Sequence, residues 1–185
     1  MMQPWTAGRP VTLEPGLRLV LAPNPSPMTH WGTNTYIVGT GEVAVIDPGP
    51  LLPDHLAALL AALDPGERIT HILVTHAHLD HSPLARPLAE QTGAAILAHG
   101  DARSGRSARM QALEGLAGGE GVDAQFAPDI CLQDGDSVSG PDWALTALHT
   151  PGHMGGHLCL GWEDRLFSGD HVMGWAPSLV SPPDG

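Results

Sequence analysis

A short, mostly apolar run at residues 69–74 constrains the fold of this chain more than any other feature. The run is short enough for a buried strand and too short for an ordinary helix. The segment before it has the i, i+3, i+4, i+7 spacing of one apolar helix face, carried by Leu56, Leu59, Leu60 and Leu63. Pro53 suits the first turn of that helix. The pattern predicts a strand that follows a helix and packs against it.

The segment after the run predicts a second helix, which begins close to His81. Ser82 is expected as its N-cap and Pro83 as its first residue. Pro87 would then lie inside the helix, at a cost of about 3 kcal/mol unless the helix kinks or starts later. Residues 94–98 predict the next strand.

Further β-rich runs flank this central unit. On the amino-terminal side they are Leu17–Leu21, Asn34–Val38 and residues 43–46, of which the last two read as a hairpin. On the carboxyl-terminal side they are residues 130–132, 137–138, 143–149, 157–162 and 165–167. In the Gly/Ala-rich connection at 101–129, the repeat of Met110, Leu113 and Leu116 predicts some helix. We therefore expect a layered α/β (α+β) fold in a single domain that spans residues 1–185.

Composition excludes several classes of protein. The chain has 20 acidic residues against 8 basic ones, all of them Arg, and a formal charge of -12, which argues against binding duplex nucleic acid. No run approaches the ~20 apolar residues of a membrane span, and the amino terminus does not resemble a secretory signal, so a cytoplasmic protein without a membrane partner is expected. With only Cys131 and Cys159, a disulfide scaffold is ruled out. Two reduced, half-buried thiols are the favoured reading, and one bridge between them stays open.

Histidines gather directly after the run at residues 69–74. His76 and His78 alternate along an extended segment, so both can point to one face, and Asp80 and His81 follow where the chain leaves the strand. Three imidazoles and a carboxylate within six residues suit a metal such as Zn²⁺. A solvated, His-rich loop is the alternative.

Two later segments also place polar side chains just after a strand. A Pro-Gly turn precedes His153, and Gly169 precedes Asp170. Each of these signals is weak alone. In this order, and after the first cluster, they strengthen the prediction of a metal site.

The order HxHxDH, TPGH and SGD resembles the metallo-β-lactamase superfamily. The resemblance implies a four-layer αββα sandwich with two metal ions at one edge of its sheets. It assigns His76, His78 and His153 to the first ion, Asp80 and His81 to the second, and Asp170 to both. Asp47 matches a residue that orients a ligand without binding metal itself. Residues 22–29, 32–36 and 168–175, together with His157, look similar to the beta-lactamase-like protein 2 branch, which includes an endoribonuclease of single-stranded RNA.

The sequence departs from the family pattern in two places. Ser82-Pro83-Leu84 stands where the family has a small residue and a Gly-Gly pair, which concerns the start of the helix and not the ligands. The family also supplies a final His to the second ion, and no such His precedes Gly185. We therefore expect a domain that lacks its C-terminal helix and strand, with the second of two zinc sites weakened.

The resemblance implies a zinc-dependent hydrolase. Its metal-bound hydroxide would attack an ester, thioester, lactone, lactam or phosphodiester, with Asp80 as the catalytic group that orients the nucleophile. The alternatives are a single-strand RNA endonuclease of the same fold, an iron-dependent oxidoreductase of the sulfur dioxygenase type, and a degenerate metal-binding module. The expected partner is a small molecule or a short single strand.

The remaining histidines and arginines carry weaker predictions. His157 is expected to contact substrate, and His171 to support a ligand. His71 and His149 are expected in the core, and His30, His55 and His99 at the surface or in loops. An anionic substrate could meet Arg103, Arg106 and Arg109, although a solvated loop is the favoured reading.

Overall fold

A computed structural model of the chain describes residues 5–113 and 121–185. Its first sheet has seven strands in the order of the sequence. They are β1 (Pro10–Glu14), β2 (Leu17–Leu21), β3 (Asn34–Val38), β4 (Glu42–Ile46), β5 (Arg68–Leu73), β6 (Ala95–Ala98) and β7 (Ile130–Cys131). Neighbours are antiparallel from β1 to β4 and parallel from β4 to β7. The predicted hairpin and the strand before the histidines are confirmed, whereas β1 was not predicted.

Helices cover one face of this sheet. α1 (Pro53–Ala61) connects β4 to β5, and α2 (Ala85–Thr92) connects β5 to β6. Their buried residues Leu59 and Leu88 pack in one cluster with Val45 and Ile72 of the sheet. These helices are the crossover segments that a parallel pair needs, so β5 and β6 extend the hairpin β3–β4 as parallel strands.

The predicted start of α2 at Ser82 and Pro83 is wrong. α2 begins at Ala85, and Leu84 at its N-cap makes no side-chain capping bond. The Ser82 hydroxyl is engaged elsewhere, 2.9 Å from Asp123 Oδ2. The later start places Pro87 in the first turn, where the missing N–H has no helical partner to lose.

The second sheet has four antiparallel strands in the order β11-β10-β9-β8. They are β8 (Ser137–Ser139), β9 (Ala144–His149), β10 (Leu158–Trp162) and β11 (Arg165–Phe167). Leu145 and Leu158 pack against Ile46 and Leu73 of the first sheet in a second buried cluster. The two sheets are therefore pressed face to face, as predicted.

Among the described residues the layers are helix, sheet and sheet. Alternate residues of β9 are exposed, and the structure describes no helix over that face. The only other described helix is α3 (Ala108–Gln111), which lies in the connection where some helix was predicted. Leu116 of that predicted pattern lies outside the described residues. No described helix is long and apolar enough to cross a membrane.

Candidate metal centre

The carboxyl ends of four strands meet at one edge of the two sheets. Asp47 follows β4, His76 follows β5, His153 follows β9 and Asp170 follows β11. Side chains from both sheets can converge here because each strand ends at the same edge, in the crevice where layered α/β folds bind ligands. The predicted metal ligands thus come together although 94 positions separate His76 from Asp170.

One group of possible metal donors consists of His76, His78 and His153. One ring nitrogen from each lies within 4.8 Å of the others. The ring centroids are 4.6 Å apart for His78 and His153 and 4.7 Å apart for His76 and His78. Such a triangle of imidazole nitrogens is the donor set of a zinc site.

Hydrogen bonds select the nitrogen that two of these rings present. The Thr75 hydroxyl donates its proton to Asp47 Oδ2, so Thr75 Oγ1 accepts from His76 Nδ1–H at 3.0 Å. His76 Nε2 is then a buried lone pair with no hydrogen-bond partner. His153 Nδ1–H donates to the Leu179 carbonyl at 2.6 Å, which leaves its Nε2 for the site. A buried nitrogen without a partner costs free energy, and a metal ion would satisfy it.

A second group of possible donors consists of His76, His81 and Asp170. The two carboxylate oxygens of Asp170 face different groups: Oδ1 is 3.4 Å from His81 Nε2, and Oδ2 is 3.5 Å from His153 Nε2. Asp80 Oδ2 is 3.3 Å from His81 Nε2. The two groups are contiguous, with Asp170 between them, which is the position that the resemblance assigns to a bridging ligand.

The electrostatics of the site suit a cation. Burial and the neighbouring rings hold the pKa of His76 well below its usual value, and burial lowers the pKa of His78 to about 4, so both rings are neutral near pH 7. Burial opposes charge on His81 as well, but the Asp80 and Asp47 carboxylates outweigh it and keep the pKa of His81 well above its usual value. Against burial, His81 lowers the pKa of Asp80 to about 2. Without metal, the His81 imidazolium is the positive charge that these carboxylates enclose.

Asp47 forms hydrogen bonds that orient the predicted ligand His81 and fix Thr75. Its Oδ2 accepts from His81 Nδ1–H at 2.9 Å and from the Thr75 hydroxyl at 2.8 Å, and its Oδ1 accepts from the Thr75 N–H at 2.8 Å. A carboxylate that accepts from Nδ1–H directs His81 Nε2 toward the site. This position matches the orienting role that the resemblance implies for Asp47.

His157 and His171 lie on either side of this centre. His157 is fully buried, and its ring centroid is 5.1 Å from that of His76. Burial lowers the pKa of His157 to about 3. His157 Nδ1 lies 2.9 Å from Thr150 Oγ1, and the contact of His157 with substrate stays a prediction. His171 is exposed, and its centroid is 6.0 Å from that of His157.

Gly169 allows the close approach of β11's end to the first sheet. A Cβ atom there would meet His157 Nε2 at 2.7 Å and Thr75 Oγ1 at 2.8 Å. Any side chain at this position would therefore push Asp170 away from the histidines.

Two predictions for single residues are wrong. His55 was expected at the surface or in a loop, but it is fully buried on α1, and its Nε2 is 2.9 Å from Thr35 Oγ1. Its position one turn before Leu59 on the apolar stripe was the signal that could have placed it. Arg106 was expected in a solvated loop, but its side chain is 8% exposed and pairs with Asp184. No signal in the sequence joined these two residues.

The burial of three further histidines and of the two cysteines also differs from the prediction in part. His71 and His149 were expected in the core, but both are half-buried, and His149 stacks on the half-buried His99 with centroids 4.1 Å apart. Cys131 is an exposed free thiol and Cys159 a buried one, so neither is half-buried and no disulfide joins them.

A cavity of about 260 Å³ opens beside Asp80, His81 and Asp170. Most of its lining is polar, and the apolar side chains that contribute come from both sheets and from two loops: Met28, Tyr36, Ile46, Leu166, Phe167, Val172, Met173 and Trp175. The charged side chains that line it are the site's own, and no arginine of the described residues is among them. His30 stacks on Trp175 with centroids 5.2 Å apart and joins the two loops at the mouth.

Known proteins are similar to this chain in sequence. The family model of the metallo-beta-lactamase superfamily matches residues 28–184. An atrochrysone carboxyl ACP thioesterase from Cryptosporiopsis is 30% identical over 172 residues, which cover 91% of this chain and 47% of the relative. A hydroxyacylglutathione hydrolase from Anaeromyxobacter dehalogenans is 34% identical over 143 residues, 77% of this chain and 46% of the relative.

A solved structure has a similar fold. The metallo-beta-lactamase family protein from Thermus thermophilus has a TM-score of 0.68 and 27% identity, over 91% of this chain and 64% of that one. The chain thus spans about half the length of the two relatives named above. The narrower branch suggested by the sequence stays a prediction. The match to the family model, over most of the chain, shows that this protein belongs to the metallo-β-lactamase superfamily.

Proposed function

We propose that this protein is a metal-dependent hydrolase that removes acyl groups, with a thioester as the preferred substrate. The observation that carries the proposal is the pair of donor groups that share His76, of which the second opens onto a cavity through His81 and Asp170. Neutral imidazoles joined by carboxylates are a donor set that zinc prefers. His76, His78 and His153 would hold one ion, and His81, Asp80 and Asp170 a second.

Zinc, when bound, acts as a Lewis acid on the substrate oxygen and lowers the pKa of water that it coordinates. The protein supplies the remaining elements. Asp80 is a carboxylate at neutral pH, its side chain is 29% exposed, and it lines the cavity. It can therefore accept a hydrogen bond from the attacking water and fix its orientation, which is a catalytic role.

The cavity beside Asp80 and Asp170 can accommodate an acyl group of the substrate next to the site. Trp175 is 45% exposed and offers aromatic surface to that group. A phosphodiester or a free carboxylate would find no arginine of the described residues in the lining. The two relatives described above support acyl transfer to water, since their names are those of a thioesterase and an acylglutathione hydrolase.

A substrate panel on the zinc-loaded chain tests the proposal. The panel comprises an uncharged aromatic thioester, its carboxylate-bearing analogue, a lactone, a β-lactam and a short single-stranded RNA. We expect kcat/KM to be highest for the uncharged thioester and at least about tenfold lower for its carboxylate analogue. Preferential cleavage of RNA would overturn the proposed substrate class. Stoichiometric iron in the purified protein, together with oxygen uptake, would overturn hydrolysis itself.

Asp80→Ala is the matched active-site variant for the same panel. We expect its kcat to fall by about 10²- to 10⁴-fold, because it loses the carboxylate that orients the nucleophile. Asp142→Ala is the control, since Asp142 is exposed and accepts hydrogen bonds from Thr40 in the turn before β4, at the other end of that strand from Asp47. Wild-type hydrolysis by Asp80→Ala would refute the role of Asp80.

A further inference from the structure

His55 lies outside the candidate metal centre, yet it begins a chain of hydrogen bonds that ends there. The ring is fully buried on α1, and Nε2 is 2.9 Å from the Thr35 hydroxyl oxygen. That hydroxyl donates to the backbone carbonyl of Asp47 at 2.7 Å. The Asp47 carboxylate in turn accepts from His81 Nδ1–H. Thr35 and Asp47 thus connect His55 on α1 to the predicted ligand His81.

The direction of these bonds fixes the tautomer of His55. A hydroxyl has one proton, and Thr35 gives it to the Asp47 carbonyl, so Thr35 Oγ1 accepts from His55 Nε2–H. The other ring nitrogen, Nδ1, is then an unprotonated lone pair, and it is a buried atom without a hydrogen-bond partner. Burial lowers the pKa of His55 to about 4, which agrees with a neutral ring.

Asp47 has a backbone conformation that is uncommon for residues with a side chain, and Thr35 is one of the groups that hold it. The φ of Asp47 is +50°, in the left-handed region that residues with a Cβ atom avoid at a cost of about 1–2 kcal/mol. The turn also lies directly against the His55 ring, since a Cβ on Gly49 would meet Nε2 at 3.2 Å. A carbonyl held in place by Thr35 keeps the residue in this conformation, and with it the direction of the carboxylate.

The unpartnered Nδ1 argues against a purely structural role. A buried acceptor without a partner costs about 1–3 kcal/mol, so an apolar side chain of similar volume would suit helix packing better than histidine does. What such a side chain could not provide is the Nε2–H donor to Thr35.

We propose that His55 is a positioning residue for the metal centre: through Thr35 it holds Asp47, and thereby the orientation of the His81 ring. The proposal concerns ligand geometry and does not depend on which substrate is hydrolysed. It adds a residue on α1 to the network that determines how well the His81 group binds an ion.

The first readout needs no metal. In the metal-free chain labelled with ¹⁵N-histidine, exchange of the His81 Nδ1 proton with solvent reports how firmly Asp47 holds the ring. We expect His55→Leu and Thr35→Val to accelerate this exchange at least about threefold, and His55→Gln, whose amide can reach the position of Nε2–H, to restore it to within about twofold of wild type. Unchanged exchange in both His55→Leu and Thr35→Val would overturn the proposal.

The second readout is zinc affinity. The ¹⁵N resonance of His81 Nε2 monitors binding at this group during a zinc titration. His55→Leu and Thr35→Val are expected to weaken binding at this group about three- to tenfold, less than the ten- to hundredfold typical of a direct partner of a ligand. The double variant should lose no more than either single one, because both break the same chain of bonds.

Leu59→Ala separates positioning from packing. Leu59 is fully buried one turn along the same helix, and its truncation is expected to lower stability without touching Thr35. The proposal requires its exchange and affinity to stay at wild-type values. An equal loss in Leu59→Ala and His55→Leu would show that helix packing alone is responsible. If His55→Leu does not fold, Thr35→Val compared with Leu59→Ala decides the question.

Discussion

The candidate metal centre has two sides, and the fold holds them differently. On the side of the first sheet, His76 and His81 follow a buried strand, and their partners Thr75 and Asp47 are buried as well. On the side of the second sheet, His153 depends on a carbonyl of an exposed residue, Leu179, near the end of the chain. One side is therefore organised by the core, and the other by a loop segment that packs on it.

On the side of the first sheet, the largest effect is expected for Asp47→Asn. The carboxylate accepts three hydrogen bonds on two oxygens, and an amide keeps only one acceptor oxygen, so it cannot accept all three; the lost negative charge also weakens any bond that His81 Nδ1–H retains. We expect zinc affinity at the His81 group to fall about ten- to hundredfold, measured by competition with a chelator. Asp142→Asn, which changes a hydrogen-bonded carboxylate far from the site, is the control and should stay within about twofold of wild type. A similar loss in both variants would mean that charge, and not orientation, determines affinity.

The second prediction concerns pH and the stability of the metal-free protein. Burial lowers the pKa of His55 from 6.5 to about 4, so between these values the unfolded chain binds a proton that the folded chain does not. The free energy of unfolding therefore decreases as pH falls from about 6.5 to about 4, by about 2 kcal/mol at pH 5 for this residue.

His55→Gln isolates this contribution, since glutamine does not titrate in this range. His78 and His157, whose pKa values are also lowered by burial, contribute equally to both proteins and cancel in the difference. Urea unfolding with chelator at pH 7.5 and pH 5 measures the effect. The wild type should lose about 2 kcal/mol more than the variant between the two pH values. Parallel losses would show that His55 is protonated inside the fold.

The difference between the two sides also explains what the sequence could predict. The ligands follow strands with clear apolar patterns, and a strand end fixes where the next side chains point, so His76, His78 and Asp170 could be placed on one edge. His55 was expected at the surface or in a loop because histidine is polar, although it lies on the apolar face of α1; its burial is possible because Thr35 Oγ1 accepts a hydrogen bond from His55 Nε2–H.

Supports that are backbone atoms carry no sequence signal at all. Nothing in the residue type of Leu179 shows that its carbonyl accepts from His153 Nδ1–H, since every residue has such an oxygen. The pairing of Arg106 with Asp184 likewise depends on two loops that meet only in the folded chain. The start of α2 was missed for a similar reason, because Ser82 bonds to Asp123, which lies 41 positions away.

The smallest of the three effects is expected where the loop segment is fastened. Arg106 and Asp184 form a largely buried ion pair, and the Asp184 carbonyl accepts from the Gly155 N–H at 2.6 Å. Gly105 and Gly155 are in backbone contact at the same place, since a Cβ on Gly105 would meet the Gly155 oxygen at 2.0 Å. The loop that carries His153 is thus clamped between the Arg106 segment and the end of the chain.

Arg106→Met keeps the bulk of the side chain and removes its charge, which leaves Asp184 with a less compensated buried carboxylate. We expect the clamp to loosen, so that zinc affinity at His76, His78 and His153 falls about three- to fivefold while the His81 group is unaffected. Faster hydrogen exchange at the Gly155 N–H should accompany this loss. Arg109→Met is the control, because Arg109 is exposed in the same segment. If Arg106→Met weakened the His81 group to the same extent, the two sides would be one cooperative unit, and the contrast between core and loop support would have to be abandoned.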